Sequence, residues 1–140
     1  MKWACRSGIS VVLTVLVLFA CGPFSGSSSE YQIATAKVKT DAYLKAGMYG
    51  VLSGRTNPDA TACLWVGQGS DARALSWPFG YSAGGNPLTV YDDSGRALAT
   101  VGQRIVFAGG LLGDDVRSIR GCKGFTKFWG VGHVEEARSP

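Results

Sequence analysis

Histidine is all but missing from this 140-residue chain, with His133 its single representative. One imidazole and no C-x2-C pair leave no ligand spacing for a zinc site. Hydrolase chemistry is narrowed too. A Ser-His-Asp arrangement would need His133 as its base, and Ser76, Ser82 and Ser94 all lack the GxSxG setting of a nucleophile elbow. Neither a G-x-G-x-x-G nor a P-loop pattern occurs, and no segment repeats at a fixed period. Charge of one sign never accumulates. The formal net charge is +4, with acids and bases interspersed, which is too mild for a nucleic-acid partner. Adjacent acids occur at Asp92/Asp93, Asp114/Asp115 and Glu135/Glu136. Neighbours on a strand point to opposite faces, so such pairs do not converge as glycosidase carboxylates. The first two pairs fall in turns, where Asp is at home, and no EF-hand spacing surrounds them. The sequence therefore predicts no catalytic residue, no metal and no cofactor.

No apolar run reaches the roughly 20 residues that a membrane-spanning helix needs. The longest, Ile9 to Cys21 (ISVVLTVLVLFAC), is about a dozen residues and follows a basic head carrying Lys2 and Arg6. A basic head, a short apolar run and a small residue at the break are the marks of a secretory signal. The break reads Leu18-Phe19-Ala20-Cys21. It resembles the lipobox of bacterial lipoproteins. That resemblance implies a diacylglyceryl thioether on Cys21 and cleavage just before it. Residues 1–20 are then a signal peptide, and the mature protein is anchored to a membrane on the extracytoplasmic side. The alternatives are an ordinary secretory signal with Cys21 left as a free thiol, and an uncleaved anchor helix. Two acyl chains suffice for a stable anchor where one is marginal.

Loss of Lys2 and Arg6 with the signal takes the formal charge from +4 to +2. Cys5 leaves as well, and Cys63 and Cys122 remain as an even pair in an oxidising compartment. The even count and the compartment predict a disulfide, with two buried free thiols as the alternative. Closing a loop of about 60 residues removes around 4 kcal/mol of unfolded-state entropy in the chain-entropy view.

Gly22 to Ser29 (GPFSGSSS) reads as a flexible tether. Residues 30–46 allow two conformations. Thr40 suits the cap of a short helix over Asp41 to Ala46, and alternation at Ile33, Thr35 and Lys37 suits an extended arm. Residues 21–46 thus make a lipidated tether and arm, and residues 47–140 a single domain. From residue 47 onward short strands alternate with turns. Strands are expected over Met48–Gly54, Thr61–Val66, Ala72–Trp77, Pro87–Tyr91, Arg96–Val101, Arg104–Ala108 and Lys127–Val134. Pro78 stops the third, Gly95 supplies the positive φ of a hairpin turn, and Gly109-Gly110 release the sixth. Phe79 to Asn86 reads as an aromatic, glycine-rich loop and Leu111 to Gly124 as a polar one. Six or seven short strands predict an all-β fold, either a small antiparallel barrel or a sandwich. The stretch WPFGYSAGGNPLTVYDDSGRALATVGQRIVFAGG, Trp77 to Gly110, resembles small secreted bacterial β-barrel domains of the OB-like kind. The resemblance implies fold and says nothing of activity.

Aromatic side chains are the remaining candidates. Strand alternation puts Cys63 and Trp65 on one face and Leu64 and Val66 on the other, which assigns Trp65 to packing beside the disulfide. Trp77, Phe79 and Tyr81 flank a Pro/Gly loop and are the candidate ligand-binding residues, since loops carry function on rigid scaffolds. Arg117, Arg120, Lys123 and Lys127 make a basic segment around Cys122 that could touch anionic lipid. The expected function is a non-catalytic, lipid-anchored module that binds a small ligand or an envelope protein. A ligand-free structural envelope protein, a freely secreted form and a hydrolase using His133 are the alternatives.

Overall fold

A computed structural model describes residues 30–39 and 44–140 of the chain. The expected signal, Cys21 and the expected tether lie outside the described residues, as does the start of the helical alternative at residues 40–43. The described residues form ten strands. In chain order these are β1 (Glu30–Tyr31), β2 (Ala46–Val51), β3 (Ser53–Thr56), β4 (Ala62–Val66), β5 (Arg73–Ser76), β6 (Ser82–Gly84), β7 (Thr89–Tyr91), β8 (Ala97–Thr100), β9 (Arg104–Leu111) and β10 (Phe128–Arg138). One 3-10 turn spans Gly69–Asp71.

The fold is all-β, in two sheets ordered β1-β6-β7-β8 and β2-β9-β10-β5-β4-β3. The closed barrel expected from the OB-like resemblance does not form, for two local reasons. First, the strand expected over Met48–Gly54 is interrupted at Leu52. Its backbone N–H donates to Gln103 and its carbonyl accepts from Gly102, which takes it out of both flanking ladders. The two halves, β2 and β3, consequently become opposite edges of one curled sheet. Second, Ser82–Gly84 is a strand and not part of a loop. It pairs with β7 on one side and β1 on the other and so founds the second sheet. The arrangement is not purely antiparallel either, because Phe128–Gly130 of β10 runs parallel to Ala74–Ser76 of β5.

Alternation along each strand sorts side chains between two cores. Leu64, Val66, Leu75, Trp77, Ile105, Phe107 and Trp129 from the larger sheet meet Ala83, Val90 and Ala99 from the smaller one. This is the main core, enclosed between the sheets. Cys63 and Ala74, one position out of phase, face the other way and meet Phe128 and Cys122. The segment read as a polar loop closes over them. Its Leu112, Val116 and Ile119, with Phe125 just beyond, supply a second apolar cluster. The expected disulfide joins Cys63 to Cys122, with Cα atoms 4.9 Å apart and 59 residues of separation. Trp65 packs here as expected, 5.4 Å from the Phe125 ring. The Arg55 guanidinium lies 5.9 Å from the Trp65 ring centre and 5.6 Å from that of Phe125, and donates to the Lys123 carbonyl at 2.7 Å.

Residues 30–36 adopt the extended alternative, and they run across the domain. Gln32 exchanges backbone bonds with Ala60 and Ala62, and Trp77 does so with Ala34 and Ala36. Ile33 enters the main core. Glycines 109 and 110 do not release β9, which continues through them to Leu111. A Cβ at Gly109 would stand 2.0 Å from the Gly130 carbonyl and 2.6 Å from the Trp129 indole nitrogen. Only a bare backbone allows β10 this close.

Candidate functional site

Trp77 ends the run that begins with β5, in phase with Leu75, and alternation carries both side chains into the main core. Trp77 is 1% exposed. It is therefore a core residue and not a surface platform, which corrects its assignment to a binding loop. The chain then reverses over Pro78 to Tyr81, closed by a bond from the Tyr81 N–H to the Pro78 carbonyl. Gly80 takes the third turn position with φ of 84°, where a side chain would be strained. The turn projects Phe79 outward at 48% exposure. Tyr81 returns half-buried and stacks on Trp77, with centroids 6.4 Å apart and planes 25° apart.

These residues form one wall of a groove of about 440 Å³. That volume is within the range of small-molecule sites. Ala36, Val38 and Leu44 line it from the arm side, and Gly110, Gly130, Val131 and Gly132 from β9 and β10. The glycines matter sterically. The Leu44 side chain would come within 2.2 Å of a Cβ at Gly110, so it lies directly on the backbone. Val38, Leu44 and Phe79 are all large apolar side chains left exposed around this groove. Polar character comes from Lys39 and Asp93, which line the groove and pair at 3.0 Å. The hairpin turn holds Asp93 in place. The Asp92 carboxylate accepts from the Ser94 hydroxyl and from the backbone N–H groups of Ser94 and Arg96. The Ser94 hydroxyl, followed by the Arg96 N–H, keeps the Asp92 carboxyl below its ordinary range. The Trp77 indole N–H, on the buried side of the same wall, has no hydrogen-bond partner among the described residues.

Phe79 and Tyr81 thus line one groove, and Trp77 supports it from beneath. Nothing in the sequence marks Lys39 as a site residue, Asp93 reads there as a turn acid, and Gly109-Gly110 read as a strand stop. The Gly-Gly pair at 109–110 and the Gly-x-Gly at 130–132 were the available signals of close backbone approach. His133 is exposed on β10, and no hydrogen bond joins it to Ser76, Ser82 or Ser94 among the described residues. Asp114 and Asp115 are exposed in the segment over the second core, and Glu136 pairs with Arg138. Among the described residues no group of three His, Cys, Asp or Glu is placed to hold a metal. The basic segment is dispersed. Arg120 donates to the Gln32 side chain, Lys127 pairs with Asp71 at 3.0 Å, and Lys123 lends its carbonyl to Arg55. No family model, no curated protein and no solved structure matches this chain.

Proposed function

We propose that this protein is a lipid-anchored, extracytoplasmic, non-catalytic binding module whose ligand occupies the groove beside Phe79. The observation that carries the reading is the placement of Phe79. A tight turn holds its ring half-exposed over a mostly apolar groove of ligand size, with an ion pair at the rim. Such a site suits a ligand with one flat C–H face and several hydroxyls. A pyranose ring has that chemistry: its apolar face stacks on Phe79, and its hydroxyls reach Lys39 and Asp93. The anchor is the proposed lipid on Cys21. The eight residues Gly22–Ser29 span at most about 28 Å when extended, which keeps the groove near the membrane surface.

Two measurements test this. Intact mass of protein purified from membranes should show a chain beginning at Cys21 and bearing acyl groups. A mass starting elsewhere without lipid removes the anchor. Titration of the purified chain with soluble oligosaccharides should perturb the Phe79 and Tyr81 ring resonances, and Phe79→Ala should abolish that response without unfolding the protein. The burial of Trp77 favours a second reading, a structural envelope protein with no ligand. Absence of any ring perturbation across the sugar panel would leave that one standing.

A further inference from the structure

A second concavity, of about 540 Å³, opens where the start of β5 meets the segment leading into β10. Its charge is unbalanced. Arg73, Arg117 and Lys127 line it against a single acid, Asp114. Lys127 is engaged by Asp71 at 3.0 Å. Arg73 is half-buried, its Nε is buried without an acceptor, and no ion pair or hydrogen bond holds its guanidinium among the described residues. Arg117 is exposed and likewise makes no ion pair there. Asp71 is the nearby carboxylate that Arg73 feels, but its side chain is taken up by Lys127, so an arriving anion would give the buried Nε an acceptor and offset the cleft's excess of positive charge. Apart from Gly113 and Thr126 the rest of the lining is apolar, and Leu111 is 61% exposed within it. Two planar guanidinium forks next to an apolar wall match a phosphate that carries an apolar substituent.

We propose that this cleft binds an amphiphilic phosphate ester, with the phosphate oxygens on Arg73 and Arg117 and the apolar substituent against Leu111. Two sources share that chemistry, a membrane headgroup and a soluble aryl or alkyl phosphate. The site adjoins the Phe79 groove, with Leu112 lining both, but it does not depend on the sugar reading.

Calorimetric titration of the full chain in neutral detergent distinguishes them. The probes are phenyl phosphate and dihexanoylphosphatidylglycerol, with sodium chloride at matched ionic strength as control. At least one probe should bind saturably. Arg73→Gln should weaken it by about tenfold or more, and Arg73→Lys by less, because the charge stays but the fork is lost. Arg117→Gln, at an exposed position that cannot unfold the protein, should weaken it several-fold. Preference for the lipid probe assigns the site to a membrane headgroup, and preference for phenyl phosphate assigns it to a soluble ester. Failure of both probes to bind above the chloride control overturns the proposal. So does unchanged affinity in Arg73→Gln and Arg117→Gln together.

Discussion

Trp77 and Phe79 are two residues apart, and their replacement by Ala should separate folding from binding. Trp77 is 1% exposed, belongs to the main core and stacks on Tyr81. Truncating a buried Trp removes its transfer free energy and leaves a cavity, together about 3–5 kcal/mol. For a domain of this size each kcal/mol moves the melting temperature by roughly 4–8 °C, so Trp77→Ala should fall by well over 10 °C or fail to fold. Phe79 is 48% exposed on a turn whose backbone is fixed by Pro78 and Gly80. Its truncation leaves no enclosed cavity, because the half-exposed ring borders solvent, and should cost about 1 kcal/mol or less. Thermal unfolding followed by near-ultraviolet circular dichroism reads both. Tyr81→Ala should fall between them, since it loses one stacked partner and half its burial. If Trp77→Ala melts within a few degrees of the parent, the ring is not in the core, and the division of the groove wall into a support and a contact surface is wrong.

Reduction of the disulfide should lower stability by about 4 kcal/mol in the chain-entropy view, read as an earlier denaturant midpoint, and an unchanged midpoint contradicts the bond. Gly109→Ala should unfold or grossly destabilise the protein because its Cβ meets the Gly130 carbonyl, whereas Gly95→Ala, with no atom within 4 Å of its Cβ, should show only the strain of a φ of 82°. Asp59 and Asp92 have carboxyl groups held below the ordinary value of 3.8, chiefly by the side-chain hydroxyls of Thr61 and Ser94. A depressed folded pKa gives stability that is fully present above the unfolded value and is lost as pH falls through the folded one. Acid unfolding should therefore steepen only below about pH 4, and Asp92→Asn should flatten that limb. His133→Ala should leave hydrolysis of a test ester unchanged, and loss of a measurable activity would make the protein an enzyme.

Much of the fold was legible where alternation is strong. TACLWV sorts Cys63 and Trp65 from Leu64 and Val66, and the structure places these pairs against two different cores. The Asp92 to Gly95 hairpin turn and the Cys63–Cys122 pairing follow from turn chemistry and cysteine count in the same way. Three features were hidden, each for a physical reason. Ser82-Ala83-Gly84 has small side chains and no β-branched residue, so nothing local marks it as a strand; its pairing with Thr89–Tyr91 creates it. Leu52 bends its strand through bonds to Gln103 and Gly102, contacts some fifty residues away in sequence. The segment over the second core spaces its apolar residues widely, so it reads as polar until the disulfide gathers them. Trp77 was readable in principle, because it lies in phase with Leu75. The neighbouring Pro78 drew attention to a loop and away from that phase.

The disulfide has a further consequence for how this protein responds to proteolysis. Cys63 and Cys122 divide the chain so that every residue from 64 to 121 lies inside one covalent ring. That ring contains the exposed turns at Gly69–Asp71, Asp93–Arg96 and Gly113–Asp115. A single cut at any of them opens the ring without releasing a fragment. The nicked molecule keeps its mass apart from one added water, keeps both of its ends on one covalent body, and migrates as two pieces only after reduction. Cleavage outside the ring, between Ser29 and Cys63 or beyond Cys122, is the only single event that sheds part of the domain.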